Sequence, residues 1–475
     1  MLYNGSLGFV RDAGGRERAS LEKGHPPAIP ERELIPATLA RPGAAPFWLA
    51  VLLTAVATGL GAALLTKFLE LAQHLAWSGS GTDILKAARN ASAWRHIEVL
   101  LGAGAITGAG QLILRRLSSG NGIDTTAAIW FHAGRMPRLR TLVSAVLSVV
   151  IVGMGVSLGR EGAPKQVGAV FANIFADRGR LSNEQRRLLV SCAAGAGLGA
   201  AYGVPLGGTL FTLEVMRGKL ALRYVLPAFF ASTIATAISW LVLPNAPTYV
   251  IPAYSNSASV MVWAILAGLI AGLVSVGYVR MITWADRNRP EGWGRLTTPM
   301  VVMGLLGVAS IRFPELLGNG KDISQLALIG AVAPTMLVAL FLLKPAAIAL
   351  CMRSGAPGGL FTPSLTTGAM LGGALGYAWS FIWPGTPLGL AALLGAGAVL
   401  AATTQGPLST IVLMMELTGL DRSFILPLLL AVGVATLVAR TIEPRSIYDA
   451  KLSDEELAER QRMRDLPPQE MAQAD

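Results

Sequence analysis

Long apolar runs, separated only by short polar gaps, constrain the fold of this chain more than any other feature. The run from residue 141 to 158 is one of several long enough to bury itself in a hydrocarbon core of about 30 Å. Hydrophobic residues make up 53% of the chain and charged residues 14%, and the mean hydropathy is +0.54. Because lipid offers no hydrogen bonds to the backbone, the N–H and C=O groups of such runs must bond to each other, as they do in a helix. The sequence therefore predicts an all-α polytopic membrane protein.

Several of the runs are shorter than the ~17–25 residues of a full span, which predicts tilted and half-membrane helices. The 54 glycines and 27 prolines suit closely packed and interrupted membrane helices. The runs lie at 46–71, 99–114, 141–158, 188–201, 205–215, 225–243, 260–282, 299–311, 333–351, 364–383, 389–403, 408–417 and 424–439.

The net charge of +11 is spread over short loops between apolar runs. That distribution fits cytoplasmic loops beside anionic lipid and argues against a nucleic-acid partner. Cys192 and Cys351 stand alone without a CxxC spacing, so the sequence implies neither a disulfide nor a metal site.

Enzyme motifs are missing from the sequence. The four histidines, at positions 25, 74, 96 and 132, are scattered, and there is no HExxH, GxSxG or phosphate loop ending in GK[ST]. We therefore expect no enzyme activity, no cofactor and no metal.

A glycine-rich break, Gly159-Arg160-Glu161-Gly162, directly follows the run that ends at Leu158. A charge at membrane depth costs between ~2.5 and ~17 kcal/mol, so Glu161 must face a cavity lined by protein, water or ions. Pro164 suits the first turn of a new helix, where its missing N–H is no loss. A helix that begins inside the membrane aims free N–H groups and a positive dipole end at one point, which predicts an anion site.

An internal repeat predicts the architecture. Residues 159–168 match 359–368, since each stretch opens a helix after a glycine-rich break, and 205–214 match 407–416 with the same Pro-to-Glu spacing. Corresponding broken helices in two halves are typical of transporters with a site between the repeats. The pattern alone leaves the relative orientation of the repeats open. We divide the chain into a flexible cytoplasmic tail at 1–45, repeats at 46–245 and 246–442, and a short cytoplasmic tail at 443–475.

From about residue 46 to 452 the chain resembles the CLC family of chloride channels and proton-coupled chloride antiporters. The resemblance rests on Gly159-Arg160-Glu161-Gly162, on Gly359-Leu360-Phe361-Thr362-Pro363 and on Tyr448. It implies inverted repeats, a homodimer with one pathway per subunit, and chloride or another small anion and protons as partners. The implied location is the plasma membrane of a bacterium, its inner membrane, with multiple passes.

The resemblance also implies roles for individual residues. Glu161 would be the protonatable gate, with a salt bridge to Arg160 as the structural alternative. Leu360 and Phe361 would offer backbone N–H groups, and Tyr448 its hydroxyl, unless Tyr448 is an interfacial belt residue. The further anion-binding candidates are Gly159, Arg160, Gly162, Asn121 and Gly122.

Two departures from the family pattern leave the substrate and the mechanism open. Asn121 stands where the family usually has serine, and it either coordinates the anion or caps the following helix. Chloride, bromide, nitrate and fluoride therefore remain possible substrates. Val215 stands where proton-coupled members commonly have a second acid. Either Glu214 or a water chain delivers protons to Glu161, or the protein is a channel; a structural role at the helix end is the favoured interpretation of Glu214.

Overall fold

The computed structural model describes residues 9–11, 17–19, 35–36, 43–78, 83–118, 124–419, 422–450 and 452–465. A π-helical segment, Phe211–Arg217, directly follows the helix that ends at Leu210, and short 3₁₀ turns lie at Pro314–Leu316 and Ile447–Asp449. Strands β1 Phe9–Arg11 and β2 Glu17–Ala19 form an antiparallel hairpin with Phe9 opposite Ala19. The helices are α1 Ala44–Trp77, α2 Ile84–Arg89, α3 Ala93–Leu117, α4 Thr125–Phe131, α5 Arg138–Gly153, α6 Gly162–Arg178, α7 Asn183–Tyr202, α8 Pro205–Leu210, α9 Leu222–Ser239, α10 Ala258–Arg287, α11 Gly294–Arg312, α12 Lys321–Leu328, α13 Pro334–Arg353, α14 Phe361–Ser380, α15 Leu388–Thr404, α16 Pro407–Leu417, α17 Ile425–Ile442 and α18 Asp454–Asp465.

The predicted helical membrane architecture is confirmed. Within the described ranges, seven helices are long and apolar enough to cross a membrane: α1, α3, α9, α10, α11, α13 and the helix that begins at Ile425. Their outward faces carry exposed leucines, such as Leu49 at 55% and Leu64 at 70%. In water such a surface would be unstable, whereas lipid tails cover it without cost.

The two halves of the chain repeat one order of elements. A long helix, a second span, a short helix and a span that ends in a glycine-rich break come first in each half. They are followed by the helix that begins at the break, a buried helix, a short helix opened by proline and a last span. The series α1, α3, α4, α5, α6, α7, α8, α9 thus corresponds to α10 through α17. The boundary between residues 245 and 246 lies in the loop between α9 and α10 and stays a prediction.

Helices α7 and α15 form the centre of the protein, and nearly all of their residues are buried. Glycines let their neighbours approach closely. A Cβ at Gly197 would lie 2.6 Å from the carbonyl oxygen of Pro164, and one at Gly168 would lie 2.7 Å from that of Ala193. Glycines on α6 and on α7 therefore let these two helices pack in close contact. This contact positions the break that carries Glu161.

A buried lysine fixes one turn near the break. The ammonium of Lys344 is 1% exposed and donates to the carbonyl oxygens of residues 315, 316, 317 and 318 at 2.8 to 3.3 Å. The N–H of Gly318 in turn donates to the carbonyl of Gly155, at 2.9 Å. The lysine therefore ties the turn before α12 to the end of the span that precedes Glu161.

Three elements gave no apolar run in the sequence, although a helix after Asn121 was expected there and α4 is that helix. Helix α4 begins after Asp124, whose carboxylate accepts the N–H of Thr126 at 3.2 Å, and a cap of this kind is independent of hydropathy. Helix α18 lies in the segment predicted only as a polar tail. The hairpin of β1 and β2 lies in the segment predicted as a flexible tail, and most of that segment is outside the described residues.

Candidate functional site

The two glycine-rich breaks meet. The N–H of Gly159 donates to the carbonyl of Gly359 at 2.8 Å, and the N–H of Gly359 donates to the carbonyl of Gly159 at 2.7 Å. This antiparallel pair joins the residues just before α6 to those just before α14. Two helix starts from different repeats therefore point at one place, as the repeated pattern predicts.

The side chain of Glu161 lies at this junction and is fully buried in protein. The N–H of Phe361 donates to its Oε1 at 2.5 Å. The hydroxyls of Tyr202 and Thr362 donate to its Oε2 at 3.3 and 3.4 Å. The acid of the first repeat is thus held by the helix start of the second repeat and does not face lipid.

The alternative salt bridge at the helix start is not what holds this acid in the structure. Among the described residues, the hydrogen-bond donors to the carboxylate are Phe361, Tyr202 and Thr362. The guanidinium of Arg160 instead lies over the ring of Tyr202, 5.0 Å from the centroid. Because Phe361 is the first residue of α14, the carboxylate occupies the positive end of that helix, which is where an anion binds.

Two cavities approach Glu161. One, of about 230 Å³, is lined by Arg160, Tyr202, Lys321 and Asp322, and we call it the Arg160 cavity. The other, of about 250 Å³, we call the Tyr448 cavity; its lining includes Gly162, Lys165, Leu360 and Tyr448. The residues before and after Glu161 in the chain therefore line different cavities, and Glu161 itself is fully buried between these two residues.

Tyr448 lies in a 3₁₀ turn after the last span and lines the cavity that is named after it. Its hydroxyl is buried and has no hydrogen-bond partner among the described residues. Its ring packs edge-to-face on Phe211, with centroids 5.4 Å apart, and the ammonium of Lys165 lies over it at 4.3 Å. The predictions for Asn121 and Gly122 fall outside the described residues.

Glu214 is held away from the cavities by a helix start. It lies in the π-helical segment, and its Oε1 and Oε2 accept the N–H groups of Leu408 and Ser409 at 3.1 and 2.7 Å. Both carboxylate oxygens are therefore engaged at the start of α16. This geometry favours a structural role for Glu214 over proton transfer.

The sequence analysis missed three residues at the site. Tyr202 ends α7 just before the αL residue Gly203, and Thr362 stands inside the quoted Gly-Leu-Phe-Thr-Pro element without an assigned role. Arg460 of α18 donates to the carbonyl of Val215 at 3.1 Å and pairs with Asp449 beside Tyr448. Only Thr362 could have been found from a sequence motif, because the contacts of Tyr202 and Arg460 depend on how their helices pack.

Helix starts from two repeats that converge on a buried acid, between two cavities, define a membrane transport protein of the broken-helix class. The sequence model of a family described as "Voltage gated chloride channel" matches residues 103–440. The chain belongs to this family, the CLC family, and is a multi-pass protein of the bacterial inner membrane.

Relatives and solved structures agree with this assignment. The voltage-gated ClC-type chloride channel ClcB of Citrobacter koseri is 30% identical over 380 residues, 77% of this chain and 89% of that one. The H(+)/Cl(-) exchange transporter ClcA of Salmonella arizonae is 32% identical over 313 residues, 64% of this chain and 66% of that one.

The folds of two solved antiporters are also similar. A slow cyanobacterial Cl-/H+ antiporter superposes with a TM-score of 0.76 and 22% identity, covering 88% of this chain and 99% of its own. A CLC-type fluoride/proton antiporter gives a TM-score of 0.69 and 20% identity, covering 85% and 97%. These two similarities show the fold.

Proposed function

We propose that the chain exchanges chloride, or a similar small monovalent anion, for protons across the bacterial inner membrane. The observation that carries this proposal is the seat of Glu161: a buried carboxylate on the first N–H of α14, between two cavities. A carboxylate bound where an anion would bind blocks the path as long as it is charged. The names of the chloride-transporting relatives support the choice of ion.

Protonation would release this block. A neutral carboxyl is held less firmly by the N–H of Phe361, because the hydrogen bond is no longer charge-assisted and the attraction to the helix dipole is lost. The side chain then leaves its seat and an anion takes it. Proton arrival and anion movement share one position, so one side chain links the two flows.

Direct donors must supply most of the anion's binding energy. A helix start contributes about 0.3–1 kcal/mol, and up to about 2 in a partly buried setting, which selects the sign of the ion but does not repay its dehydration. We propose that the N–H groups of Leu360 and Phe361, the hydroxyl of Tyr448 and the backbone around Gly159 and Gly162 provide these donors, with Asn121 and Gly122 as further candidates. Because dipoles and N–H groups discriminate weakly by size, selectivity among small monovalent anions is broad.

The Tyr448 cavity faces the cytoplasm in this proposal. Its lining carries arginines near the ends of three spans, in α5 and in one loop, and basic residues close to the ends of spans stay on the cytoplasmic side. These arginines are Arg115, Arg140, Arg287, Arg289 and Arg295. They also raise the local anion concentration at the inner mouth.

The route of the proton on this side is the distinctive part of the proposal. Val215 carries no proton, and the hydrogen bonds to Glu214 from Leu408 and Ser409 support a structural role for that acid. We propose that water in the Tyr448 cavity brings protons to Glu161. The lack of a second acid at position 215 also favours an anion channel as the second candidate, since slow proton delivery weakens the coupling of proton and anion movement.

The surface around α8 and α16 supports a homodimer. Leu206 and Leu408, at the matching starts of these helices, are each 47% exposed, and Leu426 and Leu429 of α17 are exposed nearby in the chain. We propose that a second copy covers this apolar face. Chemical crosslinking in native membranes, compared with Leu408→Trp, tests this assignment.

Transport by purified protein in liposomes tests the proposed function. A chloride gradient is imposed, valinomycin and potassium clamp the voltage, and external pH is recorded. Uphill proton movement driven by chloride supports the antiporter, and chloride efflux without proton movement supports the channel. Absence of any flux of chloride, bromide, nitrate or fluoride would overturn the proposal. Transport of each anion in competition with chloride ranks the four anions by selectivity.

A further inference from the structure

A groove lies where the ends of α1 and α5 meet the start of α3. Its volume is about 390 Å³, and its polar lining consists of Arg95 and Glu98 of α3, so we call it the Arg95 groove. The apolar lining includes Phe68, Leu71, Leu75, Val99, Val150 and Met154. Leu71 and Leu75 are exposed, and the groove therefore opens to the surrounding membrane.

Trp94 and Glu98 place this end of α3 at the membrane surface. Trp94 is 72% exposed, and exposed tryptophans of membrane proteins collect at the level of the lipid headgroups. Glu98 is exposed as well, and a charged side chain that faces lipid is stable only near the headgroups. The two charged residues of the groove therefore lie at headgroup depth, and its apolar walls continue into the hydrocarbon.

Arg95 and Glu98 carry opposite charges that no described residue neutralises. Nε and Nη2 of Arg95 donate to the carbonyl oxygens of Ala76 and Leu75, at 2.7 and 3.0 Å, which fixes the guanidinium over the end of α1. Its Nη1 makes no hydrogen bond within the described ranges. The carboxylate of Glu98 likewise has no hydrogen bond or ion pair with any residue that the structure describes. One donor and one carboxylate are thus available at the same edge of the groove.

An ethanolamine phospholipid carries the complementary pair of charges. Its phosphate accepts charge-assisted hydrogen bonds from a guanidinium, and its primary ammonium has three N–H donors for a carboxylate. A choline headgroup has the same net charge, but its quaternary ammonium has no N–H donor. An anionic headgroup has no cation for Glu98. The two side chains therefore select the ethanolamine headgroup.

The groove lies on the reverse side of one wall of the Arg160 cavity. Leu69 of α1 and Val152 of α5 line that cavity. Leu71 and Val150, on the same two helices, line the groove. The helices are in close contact here, since a Cβ at Gly153 would lie 3.1 Å from the carbonyl oxygen of Leu69. A molecule in the groove therefore packs on the two helices that form this wall.

We propose that the Arg95 groove binds one phosphatidylethanolamine molecule. The guanidinium of Arg95 binds the phosphate, the carboxylate of Glu98 binds the ammonium, and the apolar walls hold one acyl chain. The bound lipid stabilises the contact of α1 with α5 behind the Arg160 cavity. The site is independent of the ion that the protein transports.

Native mass spectrometry of the full-length protein in detergent tests the headgroup assignment. Phosphatidylethanolamine, phosphatidylcholine and phosphatidylglycerol with identical acyl chains are added one at a time, and the bound fraction is measured. We expect wild type to bind the ethanolamine lipid about fivefold more tightly than the choline lipid, and Glu98→Gln to bind both within about twofold. Glu459→Gln, on exposed α18 outside the groove, is the matched control and should keep the wild-type preference.

A second pair of variants tests the location. Leu71→Trp fills part of the groove and should weaken binding of the ethanolamine lipid by about threefold or more. Leu342→Trp adds the same bulk to an exposed position of α13 outside the groove and should leave binding unchanged.

Three results would overturn the proposal. The first is equal binding of ethanolamine and choline lipids by wild type, and the second is a preference for phosphatidylglycerol. The third is a wild-type preference that persists in Glu98→Gln, because the lipid would then bind elsewhere. Should Glu98→Gln not fold, as judged by gel filtration, the tryptophan variants decide: weaker binding in Leu71→Trp alone supports the groove, and equal binding in both variants rules it out.

Discussion

Glu214 and Glu416 cap each other's helices. The carboxylate of Glu214 accepts two N–H groups from the first turn of α16, the helix that carries Glu416 in its last turn. The carboxylate of Glu416 accepts the N–H groups of Leu206 and Gly207, at 3.0 and 2.7 Å, in the first turn of α8, the helix that leads to Glu214. The equal Pro-to-Glu spacing in the two repeats therefore reflects a reciprocal contact between them.

Glu214→Gln is expected to destabilise the protein and to leave proton coupling intact. The amide keeps one acceptor oxygen and presents an NH₂ group to a backbone N–H, so one charge-assisted bond is lost, at about 1–3 kcal/mol. Glu416→Gln should cost about as much. Unfolding in detergent measures both, with Glu459→Gln on exposed α18 as the control. Loss of coupling at unchanged stability would instead make Glu214 a proton carrier.

Glu161→Gln is expected to keep anion transport and to abolish its coupling to protons. The glutamine side chain carries no charge, so it no longer competes with an anion for the N–H of Phe361. Chloride efflux and proton uptake from the same liposomes measure this. Proton coupling that survives the substitution would remove Glu161 from the gate. Thr362→Val, which keeps the shape but removes one weak donor, should leave coupling and serve as the comparison.

Gly359→Ala is expected to displace the carboxylate of Glu161 from its seat. A Cβ at this position would collide with Oε1 of Glu161, whose side chain yields more easily than the backbone pair of Gly159 and Gly359. We expect a several-fold rise in passive anion flux with weaker coupling. Gly433→Ala in α17, where a Cβ meets nothing within 4 Å, is the control. Equal flux in both variants would contradict this geometry.

Arg460→Met is expected to destabilise the turn that carries Tyr448. The guanidinium pairs with Asp449, which is 3% exposed, and lies 5.3 Å from the ring centroid of Trp130 in α4. Its removal leaves a buried carboxylate without this cation, which costs about 3–5 kcal/mol. Thermal unfolding measures the loss, and Asp449→Asn in the same chain should restore part of it. A double variant no more stable than Arg460→Met would rule out the pair as the cause.

A pH titration of α18 gives a prediction outside the membrane. Hydrogen bonds from Arg287 and Arg445 lower the pKa of Asp454 below its usual 3.8. Its contribution to holding α18 is therefore complete above pH 3.8 and is lost as the pH falls through the lowered pKa. A spin label at position 459 should stay immobile from pH 7 to pH 5 and gain mobility only below about pH 4. Asp454→Asn should be more mobile than wild type at pH 7 and should lose this step in the titration; early release of the wild-type helix would contradict the assignment.

The two glycine-rich breaks and their meeting point could be predicted because both halves of the chain keep the same sequence pattern. Glycines before a helix and an acid at membrane depth are local signals, and the second copy at residue 359 supplies the partner of the first. Tyr202 could not be predicted in the same way, since its place beside Glu161 depends on how α7 packs on α6. Helix α18, which carries Arg460, has no periodic pattern of apolar residues. Its contact with Val215 could therefore not be predicted from hydropathy.

The bridge between Gly159 and Gly359 also sets an order of events during biosynthesis. Ribosomes add about 5–20 residues per second, so the first break is made roughly 10–40 seconds before the second. For that interval the nascent chain holds Glu161 in the membrane without the amide of Phe361. A polypeptide that stops before residue 359 keeps this unshielded acid permanently and carries the full cost of an uncompensated charge at membrane depth.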